Sequence, residues 1–344
     1  VSTLKKALIL LFLLAAGITV VVFNLAKPRV LVLHSYDRDY SWTRDVNTGL
    51  KRVLDQKSHY AVRWFYMDTK RHPWPDYKQT IGAAARRVID NWKPDVVIAV
   101  DDDAQEYVMR RYVNRPGIRI VFAGVNGEAG AYGYDGADNV TGILERKELD
   151  FIRDTIVTLA TDRPVGAPPL RLVHIGDNSE SVNSDDRFMH SFDWSPVRLL
   201  DSILVETFEQ WQQAVNAAPE QADFITISNY RKLRRSARDR SLVPPKEVVR
   251  WTVDHARLPI LGSNGFYVED GGAFAIGTSP FEQGEVAAEL AAELIEKGTA
   301  PAALPFRSTR QFVVYMRGSG IARNGFQLPR LYESFARATN NYFE

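Results

Sequence analysis

From Arg29 onward, short apolar runs alternate with longer stretches in which apolar positions recur every three or four residues. The runs are those of strands buried on both faces, and the spaced pattern is that of amphipathic helices. Strands are expected at 30–33, 62–67, 95–100 and 119–123. Helices are expected between them at 43–56, 76–92 and 103–113, the second opened by Pro75 and stopped before Pro94. Strands joined by helices of this length give a parallel, doubly wound sheet. A second series begins after the Pro-rich break at 163–169. It has strands at 170–175, 198–205, 224–228 and 259–261, and helices at 245–256 and 282–297. Segments 139–144 and 262–277 read as crossovers, and 331–338 as a helix docked on the surface. The fold class is therefore α/β, with two doubly wound parallel-sheet lobes joined by a hinge. Lobe 1 is expected over 29–142, with a return segment around 278–329. Lobe 2 is expected over 143–277, and a C-terminal helix and tail over 330–344.

The N-terminus departs from this rhythm. Lys5 and Lys6 precede an almost wholly apolar run over 7–25. That length is close to the ~20 residues that span a hydrocarbon core, and the run also suits the apolar region of a secretory signal. Asn24-Leu25-Ala26 would put Asn24 where a signal peptidase favours a small residue. An uncleaved membrane anchor over 1–26 is thus favoured over a cleaved signal. Either places the rest of the chain outside the cytoplasm.

Composition narrows the class. The chain has 344 residues, enough for two cores, and a formal net charge of +1. With no basic excess, nucleic acid is not an expected partner. There is no cysteine, so disulfides and a lipidated cysteine tether are excluded. The six histidines show no metal-ligand spacing, and no P-loop or Gly-x-Ser-x-Gly elbow occurs. Neither an enzyme, a metal site nor a cofactor is expected. Six of the ten residues 231–240 are basic, which reads as a solvated loop or as a surface facing anionic lipid.

Candidate chemistry lies in loops after the strands, where open α/β sheets bind ligands. In the first lobe these loops hold Ser35, Tyr36, Trp42, Asp101, Asp102 and Asn126, with Thr141 nearby. In the second they hold Asn178, Ser228, Asn229, Tyr230 and Asn264. Small polar groups suit a polar solute, and Tyr36, Trp42 and Tyr230 can cover an apolar part of it. Each has a plainer alternative. Ser41 and Thr43 suit a helix cap, the Asp101-Asp102-Asp103 run suits a helix first turn, Trp42 suits lobe packing and Asn126 suits a turn.

The order His34-Ser35-Tyr36, Trp42-Thr43, Pro94-Asp95-Val96-Val97, Asp101-Asp102-Asp103-Ala104, Val121-Phe122-Ala123-Gly124-Val125-Asn126 and Asn139-Val140-Thr141-Gly142 resembles the ABC-transporter substrate-binding family of the type I periplasmic-binding fold. Ser228-Asn229-Tyr230-Arg231, Glu282-Gln283-Gly284 and 318–329 extend the resemblance, which covers about 29–329. It implies two lobes closing on a small-molecule ligand, with aromatic amino acids as the ligands of some relatives, and delivery to an ABC permease. Other relatives are sensory modules, so a membrane receptor kinase or cyclase is the alternative partner. The family's common lipid-anchoring cysteine is missing. No signalling domain follows Glu344, so a sensory role implies a separate partner.

Overall fold

The computed structural model describes residues 2–25, 27–160, 164 and 166–344. Ala26 of the cleavage reading, and Arg163 of the Pro-rich break, lie outside the described residues.

Helix α1 (Ser2–Leu25) precedes a first series. It comprises β1 (Arg29–His34), α2 (Ser41–Leu54), β2 (Ala61–Tyr66), α3 (Pro75–Trp92), β3 (Val96–Val100), α4 (Asp102–Tyr107), β4 (Arg119–Val125) and β5 (Val140–Leu144). A second series follows with α5 (Leu149–Leu159), β6 (Leu170–Asp177), α6 (Glu180–Ser191), β7 (Val197–Leu199), β8 (Ile203–Val205), α7 (Phe208–Gln221), β9 (Phe224–Ile227), α8 (Pro245–His255), β10 (Ile260–Gly262), α9 (Phe266–Glu269) and β11 (Phe274–Thr278). The chain ends with α10 (Pro280–Glu296), β12 (Arg307–Ser308), β13 (Phe312–Arg317), α11 (Gly318–Asn324), α12 (Arg330–Ala338) and β14 (Tyr342–Phe343).

The first sheet runs β12-β5-β4-β3-β1-β2 and is parallel throughout. Its central strands β1, β3 and β4 are apolar on both faces because helices cover both. Val97 and Ala99 of β3 pack with Ala85 and Ile89 of α3. Val96, Ile98 and Val100 pack on the other face with Val46 and Leu50 of α2 and Ala287, Ala288 and Ala291 of α10. Helices α2 and α10 approach through paired glycines. A Cβ on Gly49 would lie 2.1 Å from the Phe281 carbonyl oxygen, and one on Gly284 2.1 Å from that of Val46.

The second sheet runs β14-β13-β11-β10-β9-β6-β7, with β8 also on β6. It is parallel except where β13 lies antiparallel to β11. Trp211, Val215, Val248 and Val249 cover one face, and Ile152, Ile156, Met189, Tyr332 and Ala336 the other. These two α/β lobes form the architecture expected from the alternating pattern.

Several local expectations are corrected. Segment 139–144 is not a crossover: it contributes β5, inside the first sheet. Segment 262–277 contains α9 and β11 within the second lobe. The return to the first lobe covers α10 and β12 only, because β13 hydrogen-bonds into the second sheet. The strand expected at 198–205 is split into β7 and β8. The helix expected at 103–113 stops at Tyr107, and a 3₁₀ turn over Met109–Tyr112 follows.

Helix α1 spans 24 residues, and its described apolar side chains, including Leu8, Leu10 and Phe12, are exposed. Among the described residues no helix is long and apolar enough to cross a membrane. The side chains of Val20 and of residues 23–25, which belong to the expected run, lie outside that description.

Candidate functional site between the lobes

Three connections bridge the lobes: 145–148 after β5, Ser279 after β11, and 309–311 between β12 and β13. They are tied to one another. Thr278 Oγ1 donates to Glu145 Oε1 (3.0 Å), and Ser279 N donates to the Gln311 carbonyl (3.0 Å). Gln283 Oε1 accepts from Gly124 N (2.8 Å), while its Nε2 donates to Thr309 Oγ1 (2.9 Å). The Glu282 carboxylate accepts from the backbone N–H groups of Arg310 (3.1 Å) and Gln311 (2.9 Å). Side chains from α10 thereby brace the bridging backbone that a lobe movement would have to flex.

Against these bridges lies a narrow cavity of about 40 Å³. Its mixed aromatic and polar lining is of the kind that holds small molecules. Of the sequence-derived candidates, Tyr36, Trp42, Asp101, Asn126, Asn229 and Asn264 line it. Tyr40, Lys70, Glu145, Lys147, Ser181, Asp185 and Phe266 complete the wall.

Six candidates are turned to other tasks. Ser35 Oγ donates to the Val100 carbonyl and accepts from Ala104 N, each at 2.7 Å, fastening β1 to α4. Asp102 accepts from Tyr132 Oη (2.7 Å) and Gly127 N (3.1 Å), holding the loop after β4. Thr141 Oγ1 donates to the Leu304 carbonyl (3.0 Å) inside the first lobe. Asn178 is exposed and accepts from Asn183 Nδ2 (2.9 Å). Ser228 Oγ pairs with His174 Nε2 (2.8 Å), and its carbonyl accepts from Asn264 Nδ2 (2.7 Å). Tyr230 is fully buried between Trp211 and Phe266, with its hydroxyl donating to Asp270 Oδ2 (2.7 Å). It is a core residue rather than a cover for a ligand.

The capping readings change as well. The N-cap position of α2 is Tyr40, and Thr43 Oγ1 is buried without a partner among the described residues. Asp101 occupies the N-cap position of α4 but its side chain makes no capping bond. Instead Asp101 Oδ1 accepts from Trp42 Nε1 (2.8 Å), and Oδ2 is buried without a partner among the described residues. Its backbone has φ 67° and ψ 164°, a region that non-glycine residues seldom occupy. Burial, followed by the nearby Glu145 and Asp102 carboxylates, pushes its pKa well above the usual carboxylate range.

The bases of the cavity differ in how they are held. Lys147 Nζ donates to Asn264 Oδ1 (2.8 Å) and pairs with Glu145 (3.3 Å) and Asp185 (3.5 Å). Burial opposes its charge, but the Asp185 and Glu145 carboxylates outweigh it and raise its pKa. Asp185 itself is raised to about 6, chiefly by burial. Lys70 is buried with its ammonium 4.6 Å from the Tyr36 ring centroid, and burial together with Lys232 lowers it to about 8.

The lobes touch around the cavity. Asn126 Nδ2 donates to Asp185 Oδ1 (3.3 Å), and Lys78 lies 3.7 Å from Glu180. The Arg231 guanidinium sits between the Tyr40 (5.1 Å) and Phe266 (4.6 Å) rings, anchored on Asp270 (2.7 Å). Arg231 opens the basic run 231–240, which is not a uniform cationic face: Arg234 pairs with Glu206 and Arg235 with Glu247. Among the described residues no group of three or more His, Cys, Asp or Glu is placed to hold a metal.

The sequence reading missed Lys70, Glu145, Lys147, Ser181, Asp185 and Phe266. Lys70 follows β2, a strand end left unread. Glu145 and Lys147 lie on a bridge, which becomes a cavity wall only once both lobes are in place. Ser181 and Asp185 belong to α6, whose polar sequence buries only Val182, Asp185 and Met189.

No family model matches the chain, and no curated protein matches it. Solved structures do. A conserved domain protein from Vibrio cholerae O1 biovar El Tor is similar with a TM-score of 0.66 at 16% identity, over 92% of this chain and 100% of that one. The ABC domain from Streptococcus pneumoniae in complex with L-Trp gives a TM-score of 0.62 at 12% identity, over 89% of this chain and 98% of its own. The complex of the TorS sensor domain with TorT, in the absence of ligand, gives 0.52 at 12% identity, over 88% and 97%. Further neighbours are ABC-transporter solute-binding proteins. With two α/β lobes, three bridges and these neighbours, the chain has the type I periplasmic-binding-protein fold.

Proposed function

We propose that this protein is an extracytoplasmic solute-binding protein that captures a small polar metabolite between its lobes and delivers it to an ABC importer. The observation that carries the reading is the cavity at the strand ends of both lobes, closed by contacts that join one lobe to the other. We assign ligand contact to Tyr36, Trp42, Asp101, Asn126, Asn229 and Asn264 among the sequence-derived residues, and to Lys70 among those added by the fold. The bound ligand would stabilise the closed arrangement, and an importer would recognise that arrangement. The reading is of a binding protein rather than an enzyme, in keeping with the binding proteins among its structural neighbours.

The N-terminal helix is assigned a tethering role on the strength of the apolar run over 7–25 and of its exposed leucines. Recovery of the full chain in the membrane fraction after alkaline wash is the expected result. Full release by that wash would remove the tether.

A thermal-shift screen against amino acids, nucleosides, sugars, organic acids and small peptides tests the central reading. A compound at 100 times its dissociation constant stabilises the folded state by about 2.7 kcal/mol. A dose-dependent shift from one class is expected, and no shift from any class would refute solute binding. A sensory role, with the closed form acting on a receptor kinase or cyclase, is the second reading, favoured by the similarity to the TorS–TorT complex. Co-purification from membranes separates the two: a permease supports import, and a kinase or cyclase supports sensing.

A further inference from the structure

We propose that Asp45 of α2 and Glu269 of α9 form a proton-operated lock on lobe closure, which a proton on the pair holds shut and its loss releases. The inference rests on the lobe movement of the solute-binding reading and deepens it by adding a regulator.

The lock lies beside the ligand cavity and outside it. Helix α2 packs into the first lobe and α9 into the second. Trp42 of α2 and Phe266 of α9 line the cavity. One turn further along each helix stand Asp45 and Glu269. There the lobes are parted by a gap of about 930 Å³. Asp45 and Phe281 stand on its first-lobe wall, and Glu269 and Phe335 on its second-lobe wall. Ser279 and Gln311 of the bridging segments line the same gap, so a force across it acts at the hinge.

Two carboxyl groups thus share one gap from opposite lobes. Burial, followed by Glu269, raises Asp45 from 3.8 to about 6, with Arg44 opposing. Arg44 is exposed, where water screens its charge. From β13, Tyr315 stands near both carboxyls. Burial, followed by Asp45 and Glu269, pushes its hydroxyl upward, so it stays neutral. Arg52 is engaged by Glu285 (3.3 Å) and Arg231 by Asp270 (2.7 Å). Asn340 and Asn341, in the remaining wall, bring no charge. The cavity side differs in sign: there Lys78 of the first lobe lies 3.7 Å from Glu180 of the second.

The direction of the effect follows from linkage. With the lobes together, Asp45 keeps its proton up to about pH 6. Parting them takes Glu269 away and returns water to Asp45, so its pKa falls towards 3.8. Closure therefore takes up a proton between those values, and acid favours the closed form. Full release of that difference on opening raises the closed-to-open ratio about tenfold from about pH 7.5 to about pH 5. A solute that binds the closed form gains affinity by the same factor while the open form predominates.

The test uses the purified full chain, in which no cysteine occurs. Gln79→Cys on α3 and Arg187→Cys on α6 put a donor and an acceptor dye on exposed positions of the two lobes. Energy transfer is read from about pH 5 to about pH 7.5 with no solute present. The lock expects the dyes to move apart as pH rises. Asp45→Asn should reduce that movement severalfold and hold the lobes closer than in the parent at the upper pH. The remainder belongs to Asp102 and Asp185, which burial raises to about 6 inside the cavity. Glu269→Gln, acting from the other lobe, should also shrink the movement. The double variant should shrink it little further than Asp45→Asn alone, because the two act as a pair. No movement with pH in the parent, or equal movement in the parent and both variants, overturns the lock. Dyes that approach when a solute is added but show no such pH response overturn the lock and leave solute binding standing. The expected pH response with no approach for any solute of the screen keeps the lock and overturns the binding reading.

Discussion

Asp101 combines a backbone at φ 67°, ψ 164° with a carboxylate oxygen that is buried and unpartnered, and Asp101→Gly acts on both. Relief of the backbone contributes about 1–3 kcal/mol. Removing an unsatisfied buried oxygen contributes about 1–3 kcal/mol more. Two terms oppose. Trp42 Nε1 loses its acceptor, at about 1 kcal/mol. Glycine also enlarges the unfolded ensemble, at about 0.4–1 kcal/mol. The unligated variant should therefore be more stable than the parent by roughly 1–3 kcal/mol. Urea denaturation followed by circular dichroism measures this, with equal slopes required of both proteins. Asp101→Asn should fall between them, since it keeps an oxygen for Trp42 and removes the buried ionisable group but not the backbone strain. The gain in stability should accompany a loss of ligand-induced stabilisation. A glycine variant less stable than the parent by more than about 1 kcal/mol would refute the reasoning, because the carboxylate would then be held by favourable contacts.

Lys147→Met leaves Asp185 and Glu145 without their shared cation, so a loss of about 3–5 kcal/mol in urea denaturation is expected, together with weaker ligand binding. Gly284→Ala forces a Cβ against the Val46 carbonyl and should cost about 1–3 kcal/mol or more, read as a lower urea midpoint. Trp42→Ala should weaken ligand binding in calorimetry, whereas Tyr230→Phe should lower stability by about 1–2 kcal/mol and leave affinity unchanged. Asp45 is raised from 3.8 to about 6 by burial, with Glu269 adding and Arg44 opposing. The folded protein thus holds an extra proton between those values, and Asp45 makes stability fall as pH rises through that window. Urea midpoints across it should fall less steeply in Asp45→Asn than in the parent.

The sequence by itself pointed to the two sheets, because strands buried on both faces are largely apolar along their length. Strands β1, β3 and β4 are such runs, and Pro75 and Pro94 mark the limits of α3 through backbone chemistry alone. Pattern also placed Tyr36, Trp42, Asp101 and Asn126 at strand ends, where the cavity lies. It did not reveal α6, whose polar surface hides a short buried stripe, or α7, although Thr207 and Gln210 form a capping box at its start. The membership of β13 depended on pairing with β11, a contact set by the tertiary path rather than by local pattern. The site shows the same division. Serine, asparagine and tyrosine at a strand end are equally suited to bind a ligand or to fasten a loop. Only neighbours decide, and they turned Ser35 and Asp102 to loop bonds and Tyr230 into core. Lys70, Glu145, Lys147 and Asp185 came together because the bridging segments bring distant stretches to one wall. Burial then fixed which of their charges are matched within the protein and which are not.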